Sequence, residues 1–258
     1  MKKFFKSERG WNMGMRRIFW VMVCTALVLF LAGHTQATAA VVLLLSTDNA
    51  DTDTAIKTTL EGLGHQVDIG VHYWMFDGTE LVNYDAVLLV PSHNYASGDM
   101  PAAGQTALID FVSSGRGLVT GEWTVWKRGA QGTLATLSDA IPVVATSAFR
   151  VAGSVTYTSV MPDDILNAGV PSPFTFMADD IAGTETQFAA KNGATTFYGS
   201  DYPGGGDGVI GWDFGMGRVI SFSTVMGPME LGDSNYSQLL SNAITWSTTQ
   251  PGSPQANQ

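Results

Sequence analysis

Three short runs in this chain are almost wholly apolar: Val41-Val42-Leu43-Leu44-Leu45, Ala86-Val87-Leu88-Leu89-Val90 and Gly117-Leu118-Val119. A strand with one wet face alternates apolar and polar residues. Runs without alternation predict strands covered on both faces, as in a parallel sheet wrapped by helices. The intervening sequence agrees. After the first run, Ile56, Leu60 and Leu63 recur at helical spacing and Gly64 stops them; Gln66 to Val71 then reads as a second strand. The third strand is Asp85 to Pro91, and Gln105 to Ser114 carries Leu108, Phe111 and Val112 on one helical face before Gly115 and Gly117. Alternating strands and helices with short links predict an α/β chain. Its sheet is doubly wound, mostly parallel and flavodoxin-like, in three αβα layers. Ligands of such sheets bind beyond the carboxyl ends of the strands. That rule puts Ser46–Asp51, Ser92–Tyr95 and Gly121–Trp126 on one rim.

Residues 1–40 read as a secretory signal peptide. Lys2, Lys3, Lys6, Arg9, Arg16 and Arg17 precede an apolar run from Ile18 to Gly33, and Ala37-Thr38-Ala39-Ala40 offers small residues for cleavage after Ala39 or Ala40. An uncleaved anchor is the rival reading, but the run is shorter than the roughly 20 residues of a spanning helix. Arg16-Arg17 has a twin-arginine look, so either export route stays open. Cys24, the only cysteine, lies inside this segment. The mature chain is then expected to be periplasmic or extracellular, without thiol or disulfide. It keeps seven basic against 22 acidic residues, a formal charge of about −15. Such a surface repels phosphate backbones and anionic lipid, so neither nucleic acid nor, after cleavage, membrane is an expected partner. Protein partners and homo-oligomers stay open.

About 218 residues remain, enough for one domain, placed at residues 41–247. Its second half is richer in β-type residues. Residues 143–160 predict one or two strands, residues 163–176 a helical turn into an extended piece, and residues 194–223 two strands joined by a Gly-rich loop. A closing helix runs from Tyr236 to Trp246, and residues 248–258 read as a disordered polar tail.

Three segments carry a resemblance: "DDILNAGVPSPFTFMADD", "WDFGMGRVISFS" and "NYSQLLSNAITW". They are similar to the His-Pro-Ile/Gly-Leu-Pro/Phe segment, the Gly-x-Gly-Arg-Val strand and the closing Leu-Leu-x-Asn-Ala-x-x-Trp helix of ThuA-like (trehalose-utilisation type) domains. These belong to the class I glutamine amidotransferase-like superfamily. The resemblance implies the fold derived above over roughly residues 41–247. It also implies a cysteine nucleophile on the turn after the strand at Gly117, where this chain has Glu122, and a histidine where it has Asp163-Asp164. Glutamine hydrolysis by a thiolate is therefore excluded for the mature chain.

Glu122, flanked by Trp123 and Trp126, reads either as an acid or base at a strand end or as a loop carboxylate bound to backbone N–H groups. His93 is its best possible partner on the rim, though a histidine in such a loop is more often a hydrogen-bonding surface residue. Asp48, Asn49, Asn94, Tyr95, Trp123 and Trp126 complete a candidate ligand-binding set. His65 and His72 receive no role. Asp48, Asp51 and Asp53 lack the spacing and closing Glu of a calcium loop, so no metal is expected; Asp51 or Thr52 is expected to cap the next helix. "GGGDG" at 204–208 lacks the Lys-Ser/Thr of a phosphate loop and reads as a hairpin link. No cofactor is expected. Tyr73, Trp74 and Phe76 with the two rim tryptophans could stack on a sugar, though packing explains most of them; Trp74 is the strongest surface candidate. The leading expectation is an exported domain without amidotransferase chemistry. It binds a small polar ligand, glycan or protein at the rim. The rivals are a carbohydrate-acting enzyme with Glu122 as acid/base, helped by His93 or Asp48, and a pure scaffold.

Overall fold

A computed structural model describes residues 39–91, 98–179 and 183–252. The apolar runs form β1 (Val41–Ser46), β3 (Ala86–Leu89) and β4 (Gly117–Thr120), with β2 (Gln66–His72) beside β1. Between them lie helices α1 (Ala50–Gly62) and α2 (Ala102–Ser113), and α3 (Glu122–Gln131) follows β4. Later come β5 (Phe149–Arg150), β6 (Ser154–Ser159), β7 (Phe174–Met177), β8 (Glu185–Thr186), β9 (Thr195–Ser200), β10 (Gly206–Phe214) and β11 (Gly217–Phe222). The chain then turns through α4 (Pro228–Leu231) into α5 (Ser234–Thr248).

The main sheet has nine strands in the order β2-β1-β3-β4-β11-β10-β9-β6-β7. Its first five strands are parallel, in the doubly wound order of a flavodoxin-like sheet. The last four extend it by antiparallel pairing. Residues 194–223 thus hold three strands where two were expected, because the Gly-rich link joins β9 to β10 and a second tight turn at Gly215-Met216 joins β10 to β11. Of the rim segment Gly121–Trp126, where Glu122 was read as a loop residue, all but Gly121 is helical and belongs to α3.

Alternation along β1 explains the layers. Val42 and Leu44 pack with Ile56, Leu60, Leu239, Leu240 and Ile244, so α1 and α5 cover one face. Leu43 and Leu45 pack with Leu108, Phe111, Val112 and Val125, so α2 and α3 cover the other. Helix α3 is held close to the chain before β5: a Cβ on Gly129 would lie 2.1 Å from the Thr146 carbonyl oxygen. No helix among the described residues is long and apolar enough to cross a membrane.

Helix α1 is capped by Asn49, not by Asp51 or Thr52. The Asn49 side-chain oxygen accepts from the backbone N–H groups of Asp51 and Thr52 at 3.1 and 3.0 Å. Asn49→Ala should lower stability by about 1 kcal/mol, read as a lower urea midpoint at unchanged slope. A variant as stable as the parent would show that the cap contributes nothing.

Candidate functional site at the strand ends

Strand β4 ends at Thr120, whose hydroxyl meets that of Ser221 on β11 at 2.6 Å. Gly121 is extended, and Glu122 opens α3 with its N–H donating to the Thr224 carbonyl at 3.2 Å. The backbone therefore delivers Glu122 straight from a strand end into the protein interior. Its side chain is only 2% exposed. The Thr186 hydroxyl donates to Oε1 at 2.5 Å, and Oε2 has no hydrogen-bond partner among the described residues. Burial pushes the Glu122 carboxyl up to about 8; the Thr186 hydrogen bond opposes the rise and the neighbouring Glu185 adds to it. A helix N-terminus favours a negative charge by about 0.3–1 kcal/mol, too little against that burial. Glu122 is a neutral acid at pH 7.

Glu185, buried in β8, is its counterpart. Oε1 accepts from the Ser223 hydroxyl at 2.7 Å, and Oε2 accepts from Arg150 Nε at 2.7 Å with a second guanidinium nitrogen at 2.6 Å. Burial raises Glu185 above the usual carboxylate range, against the pull of Ser200, Ser223 and Arg150. With donors on both oxygens it is the member of the pair built to carry charge. Arg150 also reaches Asp201, and its guanidinium lies over the Tyr202 ring. Behind Glu185 the hydroxyls continue inward, Ser223 to Tyr157 at 3.0 Å, Tyr157 to Thr224 at 3.2 Å and Thr224 to Tyr236 at 3.0 Å. A third buried acid, Glu230, accepts from the N–H groups of Asp179 and Gly227 at the start of α4, and burial lifts it to about 7.

Above Glu122 lie aromatic groups and one close backbone segment. Trp123 and Trp126 meet edge-on at 5.1 Å, and Trp126 meets Phe149 at 6.4 Å. A Cβ on Gly183 would stand 3.8 Å from Glu122 Oε1 and 3.4 Å from the Phe149 ring. Trp123 is buried, so among the described residues Trp126 and the half-exposed Phe149 are the aromatic surfaces beside Glu122.

The expected site residues divide. Glu122, Trp123 and Trp126 are together at the end of β4. Asp48 and Asn49 follow β1, two strands away, or roughly 10 Å at ordinary strand spacing; Asn49 is engaged as a cap. His93, Asn94 and Tyr95 lie outside the described residues. Asp53 turns back to accept from the Ser46 hydroxyl at 2.6 Å and the Thr47 N–H at 2.8 Å, which closes the loop after β1. Asp163, where the resemblance implies a histidine, accepts from the N–H groups of Ile165 and Leu166. Glu185, Thr186 and Arg150 were not expected. The available signal was Thr184-Glu185-Thr186, an acid between two β-branched hydroxyl residues.

No protein-family model matches the chain, and no curated protein matches it. Solved structures do. A ThuA-like protein from Bacteroides uniformis superposes with a TM-score of 0.60 at 14% identity, over 83% of this chain and 94% of the other. One from Parabacteroides merdae gives 0.58 at 13% identity, over 82% and 91%. The fold is ThuA-like and glutamine amidotransferase-like. PurLQS from Thermotoga maritima shares the amidotransferase-like architecture more distantly, at 0.51 and 9% identity over 79% and 96%. In this chain the turn after β4 carries a buried carboxyl, and residues 39–252 contain no cysteine.

Proposed function

We propose that the chain is an exported binding module on a ThuA-like scaffold, without amidotransferase chemistry, whose strand-end rim takes a small neutral, hydroxyl-rich ligand of the glycan kind. The observation that carries this reading is Glu122: a neutral buried carboxyl, held by Thr186, at the turn where the family resemblance implies a nucleophile. A neutral carboxyl does not repel a neutral ligand. The formal charge of −10 on the whole chain disfavours anionic ones. Trp126 and Phe149 add apolar surface of the sort that packs on sugar rings.

The enzymatic alternative draws on the same pair, since a neutral Glu122 beside a charge-bearing Glu185 resembles a general acid with its partner. Burial of both weighs against it, because a reacting bond has to reach a catalytic group. A thermal-shift screen of the purified protein against sugars, sugar acids and amino acids tests the reading. A ligand at 100 times its dissociation constant adds about 2.7 kcal/mol, several degrees for a domain of this size. Glu122→Gln keeps the shape, the neutrality and the Thr186 hydrogen bond, so a binding module retains its ligand shift in that variant. Turnover of a stabilising sugar that disappears in Glu122→Gln would favour the enzyme instead. A screen in which no sugar stabilises the protein would sink the glycan reading.

A further inference from the structure

The end of β2 carries a second polar cluster, away from Glu122. Pairing of β1 with β2 is regular from Val41↔Gln66 to Leu44↔Ile69, and then slips, so that Ser46 stands opposite His72 rather than Val71. Such a bulge is rare between parallel strands and commonly re-aims a side chain near a site. Here it accompanies a histidine that faces the loop after β1. In that loop Asp48 has φ of 68°, a left-handed conformation uncommon outside glycine, and its N–H donates to the Ser46 hydroxyl at 3.3 Å.

The His72 ring is fixed in plane. It lies flat on Trp74, centroids 4.4 Å apart and planes within 2°, and Trp74 in turn meets Tyr73 edge-on at 5.3 Å. His72 Nδ1 is buried without a hydrogen-bond partner among the described residues and sits 3.7 Å from Asp48 Oδ1. The side chain as a whole is 38% exposed, so the ring is open to a ligand from outside. Bulge, left-handed aspartate, stacked ring and orphaned nitrogen converge on one imidazole at the sheet rim where ligands of such folds bind.

We propose that Asp48 and His72 form a second ligand site on the rim. The charge of Asp48, 3.7 Å from Nδ1 and beyond hydrogen-bond reach, favours the proton on that nitrogen, and Nε2 accepts a hydrogen bond from a hydroxyl of a neutral, polyhydroxylated ligand resting on the His72–Trp74 slab. A neutral imidazole donates from one nitrogen and accepts at the other, so a carboxylate beside Nδ1 selects the tautomer that leaves Nε2 bare. A shared metal ion fits less well. Tetrahedral zinc with bonds near 2.1 Å holds its ligand atoms about 3.4 Å apart, and among the described residues no third His, Cys, Asp or Glu joins these two. The site rests on the reading of the rim as glycan-binding and extends it to the β1–β2 end.

Long-range proton–nitrogen spectra of the labelled protein read the tautomer directly, with His72→Gln assigning the signal. The wild type should show Nδ1–H, and Asp48→Asn, which tolerates the left-handed backbone, should lose that preference. Titration with the methyl glycosides of glucose, galactose and mannose should move the Nε2 resonance saturably for at least one of them. Trp74→Ala should weaken that binding about tenfold. An Nε2–H tautomer in the wild type overturns the site even if a glycoside binds elsewhere. A His72 signal unmoved by a glycoside that stabilises the protein overturns it and leaves the wider reading of the rim standing. If no glycoside stabilises the protein, both fall.

Discussion

Stability is expected to fall as pH rises from 4.5 to about 8 and then to level off, and Glu122→Gln is expected to remove most of that fall. The Glu122 carboxyl is raised in the folded protein from 4.5 to about 8, chiefly by burial. A raised folded-state value means that the native protein holds a proton the unfolded chain releases. The contribution is therefore fully present below the unfolded value and is lost as pH climbs through the folded one. A shift of that size corresponds to about 5 kcal/mol. Glu230, raised by burial to about 7, acts in the same direction with a smaller amplitude. Glutamine at 122 still accepts from Thr186 but cannot ionise, so the variant should match the parent near pH 4.5 and exceed it at pH 8. Urea denaturation of both proteins across this range reads the difference. Parallel curves would mean that Glu122 does not titrate between the two states.

Arg150→Met should be the most damaging of the site substitutions at neutral pH. Glu185 is fully buried, and Arg150 supplies both donors to its Oε2. Removing one partner of a buried pair leaves a charge without compensation, at a cost of about 3–5 kcal/mol. Because Glu185 then gains most from protonation, Arg150→Met/Glu185→Gln should recover a large share of the loss. A thermal-melt series of the two single variants and the double variant measures that coupling. Additive losses would show that Arg150 acts through Asp201 and Tyr202 instead of through Glu185.

The parallel half of the sheet is readable in the sequence because its code is local. The unbroken apolar runs of β1, β3 and β4 admit few alternatives, and the spacing of Ile56 and Leu60, or of Leu239, Leu240 and Ile244, marks helices against them. Helix α3 is not readable in the same way. Its first two turns bury Glu122, Thr124 and Lys127, so polarity suggests a loop where burial is nearly complete. The second carboxyl is hidden for another reason. Strand β8 is two residues long, and Glu185 acquires its meaning only from Arg150, Ser223 and Glu122, each 35 residues or more away in the chain. His72 shows the limit of register: the residue is visible, but the bulge that turns it to Asp48 is a property of two strands together.

The position of β11 has a consequence for synthesis. Strand β4 takes β3 on one side and, on the other, β11, which begins at Gly217, about a hundred residues after β4 ends. Until that late segment emerges from the ribosome, Leu118 and Val119 belong to an open strand edge, a template for pairing with other chains. A nascent or truncated chain that stops short of β11 should therefore be prone to self-association, and to recognition by chaperones, in a way that a chain carried through Phe222 is not. Among the described residues the last strand in chain order closes the sheet at its middle, so the two halves of the sheet are joined only once β11 has been made.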